Sequence, residues 1–262
     1  MPTALITGAS TGIGRELAQI AAANNYDVVL TARTAQSLQS TATTIERTTA
    51  RNPHIFPIDL AQPNAAQTLF ADITRAGLTL DVLINNAGFG LLGKFADLPE
   101  AAQMEMIQLN IGALTQLTRL ALPGMIERRT GYILNIASTA AFQPGPLMAI
   151  YYASKAYVVS FSEALHNEVK GTGVSVCCLC PGATRTEFQK RAAMEGTRLF
   201  DGSHVMSAQE VAQIGWDAML QGKHLVVAGR LNAALAFFTR FAPRQMAAGI
   251  ARALQERLVL PK

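Results

Sequence analysis

The sequence predicts an α/β fold: a doubly wound parallel sheet of about seven strands, covered by helices on both faces. Three observations carry this. Short β-rich runs alternate with longer helical stretches along nearly the whole chain. The strand runs, such as DVVL and DVLI, are apolar at consecutive positions instead of alternating, as strands with helices on both sides require. Each interval between strands leaves room for one crossover helix, and such crossovers are almost always right-handed.

In chain order, the strand TALIT (3–7) runs into a glycine turn and a helix over 13–24. DVVLT (27–31) precedes a helix over 35–50, HIFPI (54–58) one over 63–76, and DVLIN (81–85) a long one over 101–128. GYILNIA (131–137) leads to a helix over 151–170, and VSVCCLC (174–180) to one over 208–221 and the last strand, HLVVA (224–228). Cys177, Cys178 and Cys180 are odd in number and crowded into one apolar run, so they read as packing thiols of a buried strand, suiting neither a disulfide framework nor a zinc site. Trp216 and Met219 read as core, and the four histidines are scattered without ligand spacing, so no metal is assigned. No internal repeat or linker divides the chain. One catalytic domain over 1–229, with a substrate lid near 187–206, and a helical extension over 230–262 is the simplest organisation.

Half of the 262 residues are apolar and 15% are charged, which fits a globular protein and argues against a disordered or fibrous one. No uncharged stretch reaches the roughly 20 apolar residues of a membrane-spanning helix. MPTALITGAS has no basic start and soon meets glycine, so no secretory signal is expected and a cytoplasmic location is. The formal charge of +4 is unevenly placed. Residues 230–262 hold Arg230, Arg240, Arg244, Arg252, Arg257 and Lys262 against Glu256 alone, so the remainder is slightly negative. Without a basic cluster interleaved with aromatics, nucleic acid is not an expected partner.

The chemistry begins at TGASTGIG, positions 7–14, between the first strand and its helix. Gly8, Gly12 and Gly14 let backbone approach a pyrophosphate, a helix starting near Ile13 points free N–H groups at the anion, and Ser10 and Thr11 add hydroxyl donors. No Gly-Lys-Ser/Thr follows, which argues against an ATPase. The second strand ends VVLTAR, with no carboxylate to grip ribose hydroxyls. Arg33 instead offers a guanidinium to a 2′-phosphate, assisted by Arg15, so NADP(H) is the expected cofactor.

Tyr151 and Lys155 lie four apart at the start of a helix, on one face. An ammonium so close is expected to lower the phenol pKa from about 10 and make Tyr151 a general acid or base. Ser138, thirteen residues earlier, falls at the carboxyl end of a strand, where open α/β sheets present ligand contacts.

Taken together in this order, TGASTGIG, Asp59, NNAG at 85–88, Asn110, Ser138, the Tyr151/Lys155 pair and PGATRT at 181–186 closely resemble the short-chain dehydrogenase/reductase family, over about positions 3–228. The resemblance implies a Rossmann-like fold in which Ser138 holds the substrate oxygen and Tyr151 exchanges its proton. Lys155 would bind the nicotinamide ribose and tune Tyr151, and Asn110 would hold a water linking Lys155 to a proton relay. It also implies that Asp59 lies beside the adenine, Asn86 near the adjoining ribose, and Thr184 and Thr186 on the nicotinamide and phosphate side, with Leu60, Ala87, Gly88, Pro181 and Gly182 among the cofactor-binding residues.

The pocket segments are apolar, with Phe89, Leu91, Leu92 and Phe95 after the fourth strand, Phe142, Leu147 and Met148 before Tyr151, and Phe188, Met194, Leu199, Phe200, Val205 and Met206 in the lid. A small lipophilic ketone, aldehyde or secondary alcohol fits this lining. The alternative function is an NADP(H)-binding, redox-sensing regulator with little turnover. Family resemblance suggests a dimer or tetramer formed through helices 101–128 and 151–170, partly burying Leu114, Leu117, Leu120, Val158, Phe161 and Leu165. In the extension, Phe237, Phe238 and Phe241 oppose Asn232, Thr239 and Arg240, and Pro243 separates a second helix carrying Met246, Ile250, Leu254 and Leu258. Docking of both helices over the pocket or a neighbouring subunit is favoured; peripheral contact with an anionic membrane is the alternative.

Overall fold

The computed structural model describes residues 1–194, 197 and 205–256. Leu199, Phe200, His204 and Leu258 lie outside these. All seven expected strands form: β1 (Thr3–Thr7), β2 (Asp27–Ala32), β3 (His54–Pro57), β4 (Leu80–Asn85), β5 (Gly131–Ile136), β6 (Val174–Cys180) and, at the far edge, β9 (Leu225–Val227). They make one parallel sheet ordered β3-β2-β1-β4-β5-β6-β9. Between β5's neighbours the register is unbroken. Two further strands of two residues each, β7 (Thr184–Arg185) and β8 (Met206–Ser207), pair outside this sheet.

Helices α1 (Gly12–Ala23), α2 (Ala35–Thr49) and α8 (Ala208–Leu220) cover one face, where Leu17, Leu38, Ile45 and Trp216 are buried. The other face is covered by α3 (Ala65–Arg75), α5 (Leu114–Glu127) and α6 (Ala149–Glu168). β6 shows why consecutive apolar residues are needed: Cys177 and Leu179 enter the first core while Val176 and Cys178 enter the second. The chain builds β2 and β3 to one side of β1 and then returns to place β4 on the other. That reversal opens a crevice beyond the carboxyl ends of β1 and β4.

The long helix expected over 101–128 is not continuous. α4 (Glu100–Ile107) passes through a π-helical segment, Gln108–Ala113, before α5 resumes. The widened turn holds Asn110, whose amide grips the Phe89 backbone on both sides, accepting from its N–H at 3.1 Å and donating to its carbonyl at 3.0 Å. Leu114, Leu117 and Val158, expected at a subunit interface, are instead buried in the chain's own core. Of that set, Leu120, Phe161 and Leu165 stay partly exposed.

After the short helix α7 (Phe188–Arg191), α8 and β9, the chain ends in α9 (Arg230–Phe238) and α10 (Arg244–Gln255), separated at Pro243. Both fold back onto the body, but through their small residues. Asn232, against Gly182, donates to the Ala228 carbonyl at 2.7 Å, and Ala236 is buried beside it. In α10 the inward residues are Ala247, Ala251 and Gln255. Of the large apolar side chains expected to dock, Phe237, Phe238, Phe241, Met246 and Ile250 face outward, whereas Leu254 reaches the cavity; beneath α9 the fit is close, since a Cβ on Gly182 would collide with the Asn232 amide.

Candidate active site

The glycine turn is fixed from three sides. Thr7 Oγ1 accepts from the N–H groups of Asn86 and Ala87, each at 2.9 Å, and donates to the Ile84 carbonyl. Asn86 Nδ2 returns to the Thr7 and Gly8 carbonyls at 2.9 and 3.1 Å, so the amide expected near a ribose is committed to the turn. Thr41 of α2 donates to the Ala9 carbonyl at 3.0 Å. Gly8 and Gly12 sit at φ +66° and +56°, where side chains are strained. Past them α1 opens with no side-chain cap and no acid in its first turn, leaving its N–H groups to an anion.

Gly14 does not line the crevice. It is buried, and a Cβ there would strike Asn86 Nδ2 and the Gly8 carbonyl oxygen. Helix propensity favours Ala over Gly by about 1 kcal/mol, so Gly14→Ala should stabilise an unconstrained helix. We expect the reverse, a loss of about 2–3 kcal/mol, because the colliding partner is backbone. A denaturant midpoint at or above that of the wild type would show that the turn has room.

From this turn a cavity of about 630 Å³ extends to Tyr151. Its lining includes the expected Gly8, Ser10, Thr11, Gly12, Ile13, Arg33, Asp59, Leu60, Asn86, Ala87, Gly88, Ser138, Tyr151, Lys155, Pro181, Gly182, Thr184 and Thr186. Arg15 is absent from it and lies 3.6 Å from Glu16. Arg33 is exposed at the cavity edge, 3.7 Å from Glu105. Thr34 and Ser37 join it there, at the N-terminus of α2, with their hydroxyls 2.7 Å apart. Sequence reasoning missed these two, although polar residues opening a helix after Arg33 were the available signal. Asp59 is tied to the Ala61 N–H and to Gln62, both at 3.1 Å.

At the other end, Ser138 closes β5 and caps the following turn, its Oγ accepting from Ala140 N–H at 3.1 Å. Ser138 Oγ also donates to the Pro181 carbonyl at 3.4 Å and faces the Tyr151 phenol closely enough to oppose the rise in its pKa. Lys155 Nζ donates to the Ile136 carbonyl at 2.8 Å and lies 5.7 Å from the Tyr151 ring centre. Burial pushes its pKa down to about 8, with the neighbouring Cys178 and Cys180 opposing. The expected lowering of the Tyr151 pKa is not found. Burial drives it well above 10, outweighing the Ser138 hydroxyl, and the Tyr152 phenol adds to the rise. Spacing put Lys155 on the right face, but the depth of the ring decides the sign.

Asn110 is buried and outside the cavity lining. Besides Phe89 it donates to Ser154 Oγ at 3.1 Å, and Ser154 donates to the Tyr151 carbonyl at 2.7 Å. Gly88 separates it from the lysine: a Cβ there would come 3.0 Å from Asn110 Oδ1 and 3.6 Å from Lys155 Nζ. The four residues expected to act together are thus gathered around the start of α6.

The substrate end is apolar. Phe188 of α7 packs on Tyr151 with ring centres 5.3 Å apart, and the lid is tied down where Leu92 N–H donates to the Ala192 carbonyl. Phe89, Met148, Tyr152 and Met194 also line this end, and Arg191 is its basic member. Ala251 and Leu254 of α10 complete it, and Gln255 donates to the Tyr152 hydroxyl. Nothing in the local sequence marks that last contact, which joins residues 103 positions apart.

Residues 2–195 match the family model described as short chain dehydrogenase. The chain is 38% identical over 190 residues to the human 17-beta-hydroxysteroid dehydrogenase type 3, covering 71% of this chain and 60% of that protein. It is 39% identical over 194 residues to a very-long-chain 3-oxoacyl-CoA reductase of Phaeosphaeria nodorum, covering 71% and 56%. The aligned part thus spans well under two thirds of these relatives. A solved short-chain dehydrogenase from Sphingobium yanoikuyae, in complex with NADPH, superposes with a TM-score of 0.82 at 29% identity, covering 100% of this chain and 99% of that one. This likeness takes in the C-terminal extension, which the sequence motifs had left outside the resemblance.

Proposed function

Since the chain belongs to the short-chain dehydrogenase/reductase family of oxidoreductases, we propose that it uses NADP(H) to interconvert a lipophilic ketone and its secondary alcohol. The observation that carries this reading is the joining, in one cavity, of a backbone cradle open to a pyrophosphate and a Ser138–Tyr151 hydroxyl pair. The fit of a dinucleotide rests on the cradle itself. Gly8 and Gly12 present bare backbone, α1 presents uncapped N–H groups, and Arg33, Thr34 and Ser37 surround a second helix N-terminus suited to a phosphate.

When bound, reduced nicotinamide supplies the hydride. Ser138 Oγ and Tyr151 Oη donate to the substrate oxygen, stabilising the negative charge that develops there, and Tyr151 then gives up its proton to complete the alcohol. A phenol with a raised pKa holds that proton until the oxygen becomes basic. Lys155 Nζ stabilises the resulting phenolate, whose proton returns from solvent along the cavity that Lys155 lines. Asn110 is a positioning residue, fixing Phe89 and, through Ser154, the backbone of Tyr151. The substrate class follows from the apolar lining and from the relatives' names, which specify hydroxysteroid and very-long-chain 3-oxoacyl-CoA chemistry. Nothing among the relatives supports the redox-sensing regulator.

The test is NADPH oxidation followed by absorbance against long-chain 3-oxoacyl thioesters, steroid ketones and small polar ketones. Turnover confined to the polar set would overturn the substrate class, and no turnover with any carbonyl the function. Arg33→Asp should shift the ratio of kcat/KM for NADPH over NADH by at least about a hundredfold toward NADH, since it exchanges a phosphate partner for a repelling carboxylate. An unchanged ratio would remove Arg33 from phosphate recognition.

A further inference from the structure

Helices α9 and α10 leave an uncommonly large apolar surface uncovered. Phe238 and Phe241 are 64% and 72% exposed, and with Phe237 they form a ring cluster with centroids 5.5–5.8 Å apart. On α10, Met246, Ile250 and Leu254 recur every four residues in an exposed stripe beside the buried alanines. Large patches of this kind on a soluble chain mark a surface that meets something apolar.

The charges decide what that is. Arg230, Arg240 and Arg244 are exposed on and around these helices and have no acidic partner among the described residues, and Arg252 is paired with Glu256 at 2.9 Å. A two-fold contact between copies of this face would set these arginines against themselves in a dehydrated interface. An anionic lipid surface instead complements both features, accepting aromatic side chains at headgroup depth and neutralising the arginines. α9 is about 14 Å long against a hydrocarbon core of about 30 Å, so it lies on a bilayer and does not cross it.

We propose that α9 and α10 form a peripheral docking surface for anionic membranes. Leu254 belongs both to the exposed stripe and to the cavity lining, so docking sets the substrate end of the cleft against the lipid. Only this placement of the cleft rests on the substrate reading above; the docking itself does not.

The experiment is cosedimentation of the full chain with vesicles of phosphatidylcholine alone and of phosphatidylcholine mixed with phosphatidylglycerol. Binding should be confined to the mixed vesicles and weaken with salt. R240Q/R244Q should lower the partition coefficient about thirtyfold, at about a fivefold loss per arginine. F237S/F238S/F241S, at positions with little packing to lose, should abolish binding while thermal unfolding remains cooperative. Should that variant fail to fold, R240Q/R244Q still tests the claim. Absence of binding to the mixed vesicles, binding that neither variant weakens, or a wild-type dimer that F237S/F238S/F241S dissociates without altering vesicle binding would each overturn it. None of these readouts depends on turnover, so a failed carbonyl panel and a failed docking surface are distinguishable.

Discussion

Tyr151→Phe is expected to lower turnover by at least about a hundredfold, and as much as ten-thousandfold, while NADPH affinity stays within about twofold of the wild type. The substitution removes one oxygen, which faces Ser138 and is the group proposed to deliver the proton. The ring remains packed against Phe188, so the pocket wall persists. Single-turnover kinetics at saturating NADPH isolate the chemical step, and fluorescence titration reads the affinity. Retention of more than about a tenth of the activity would exclude Tyr151 as the acid.

Lys155→Met should separate activity from stability. Turnover should fall by at least about a hundredfold and NADPH binding should weaken, because the phenolate and the cofactor both lose an ammonium. The cofactor-free protein should nonetheless become more stable at pH 7. A pKa lowered from 10.5 to about 8 means that the buried charge costs on the order of 3 kcal/mol, of which the hydrogen bond to Ile136 lost with it returns only about 1.

The pH dependence has a definite sign. Between about 8 and 10 the unfolded chain holds a proton on Lys155 that the folded chain has released, so this group makes wild-type stability rise with pH. Above 10 the raised Tyr151 pKa works oppositely, since the folded chain keeps a proton that the unfolded one loses. From about 9 upward the buried Cys177 and Cys180 thiols also work oppositely, in both proteins alike, so thermal melts of the cofactor-free wild type should gain on those of Lys155→Met as pH rises from 8 to 10. Parallel pH profiles in both would assign the effect to another group.

The sheet was legible because its strands carry apolar residues on both sides, a pattern that each strand displays by itself. The cofactor end was legible for a related reason: its contacts come from contiguous backbone, as in the glycine turn. What escaped depends on distant partners. The π-helical break at 108–113 is written in the pairing of Asn110 with Phe89, 21 residues away, and helical periodicity carries no trace of it. Amphipathicity showed that α9 has an aromatic face. It could not show that Asn232 packs against Gly182 and holds the Ala228 carbonyl, which leaves that face outward. The fall expected in the Tyr151 pKa failed similarly, because proximity to Lys155 is local whereas burial is contributed by Phe188, Tyr152 and the rest of the pocket wall.

The three thiols of β6 give the molecule a clock. Each is buried between two helical layers, out of reach of an alkylating reagent, and burial lifts the Cys177 pKa to about 12, so that thiol offers almost no thiolate. Modification must await an opening that parts β6 from its neighbours, two of which, β5 and β9, flank it along the sheet. Labelling under native conditions is therefore gated by the same transition that strips β6 from the sheet. Any molecule that binds only the closed form slows that gate by the factor 1 + [L]/Kd. The cysteines, which take no part in the chemistry, thus convert occupancy of the cleft into a rate of sulfur modification, with no need to know the substrate.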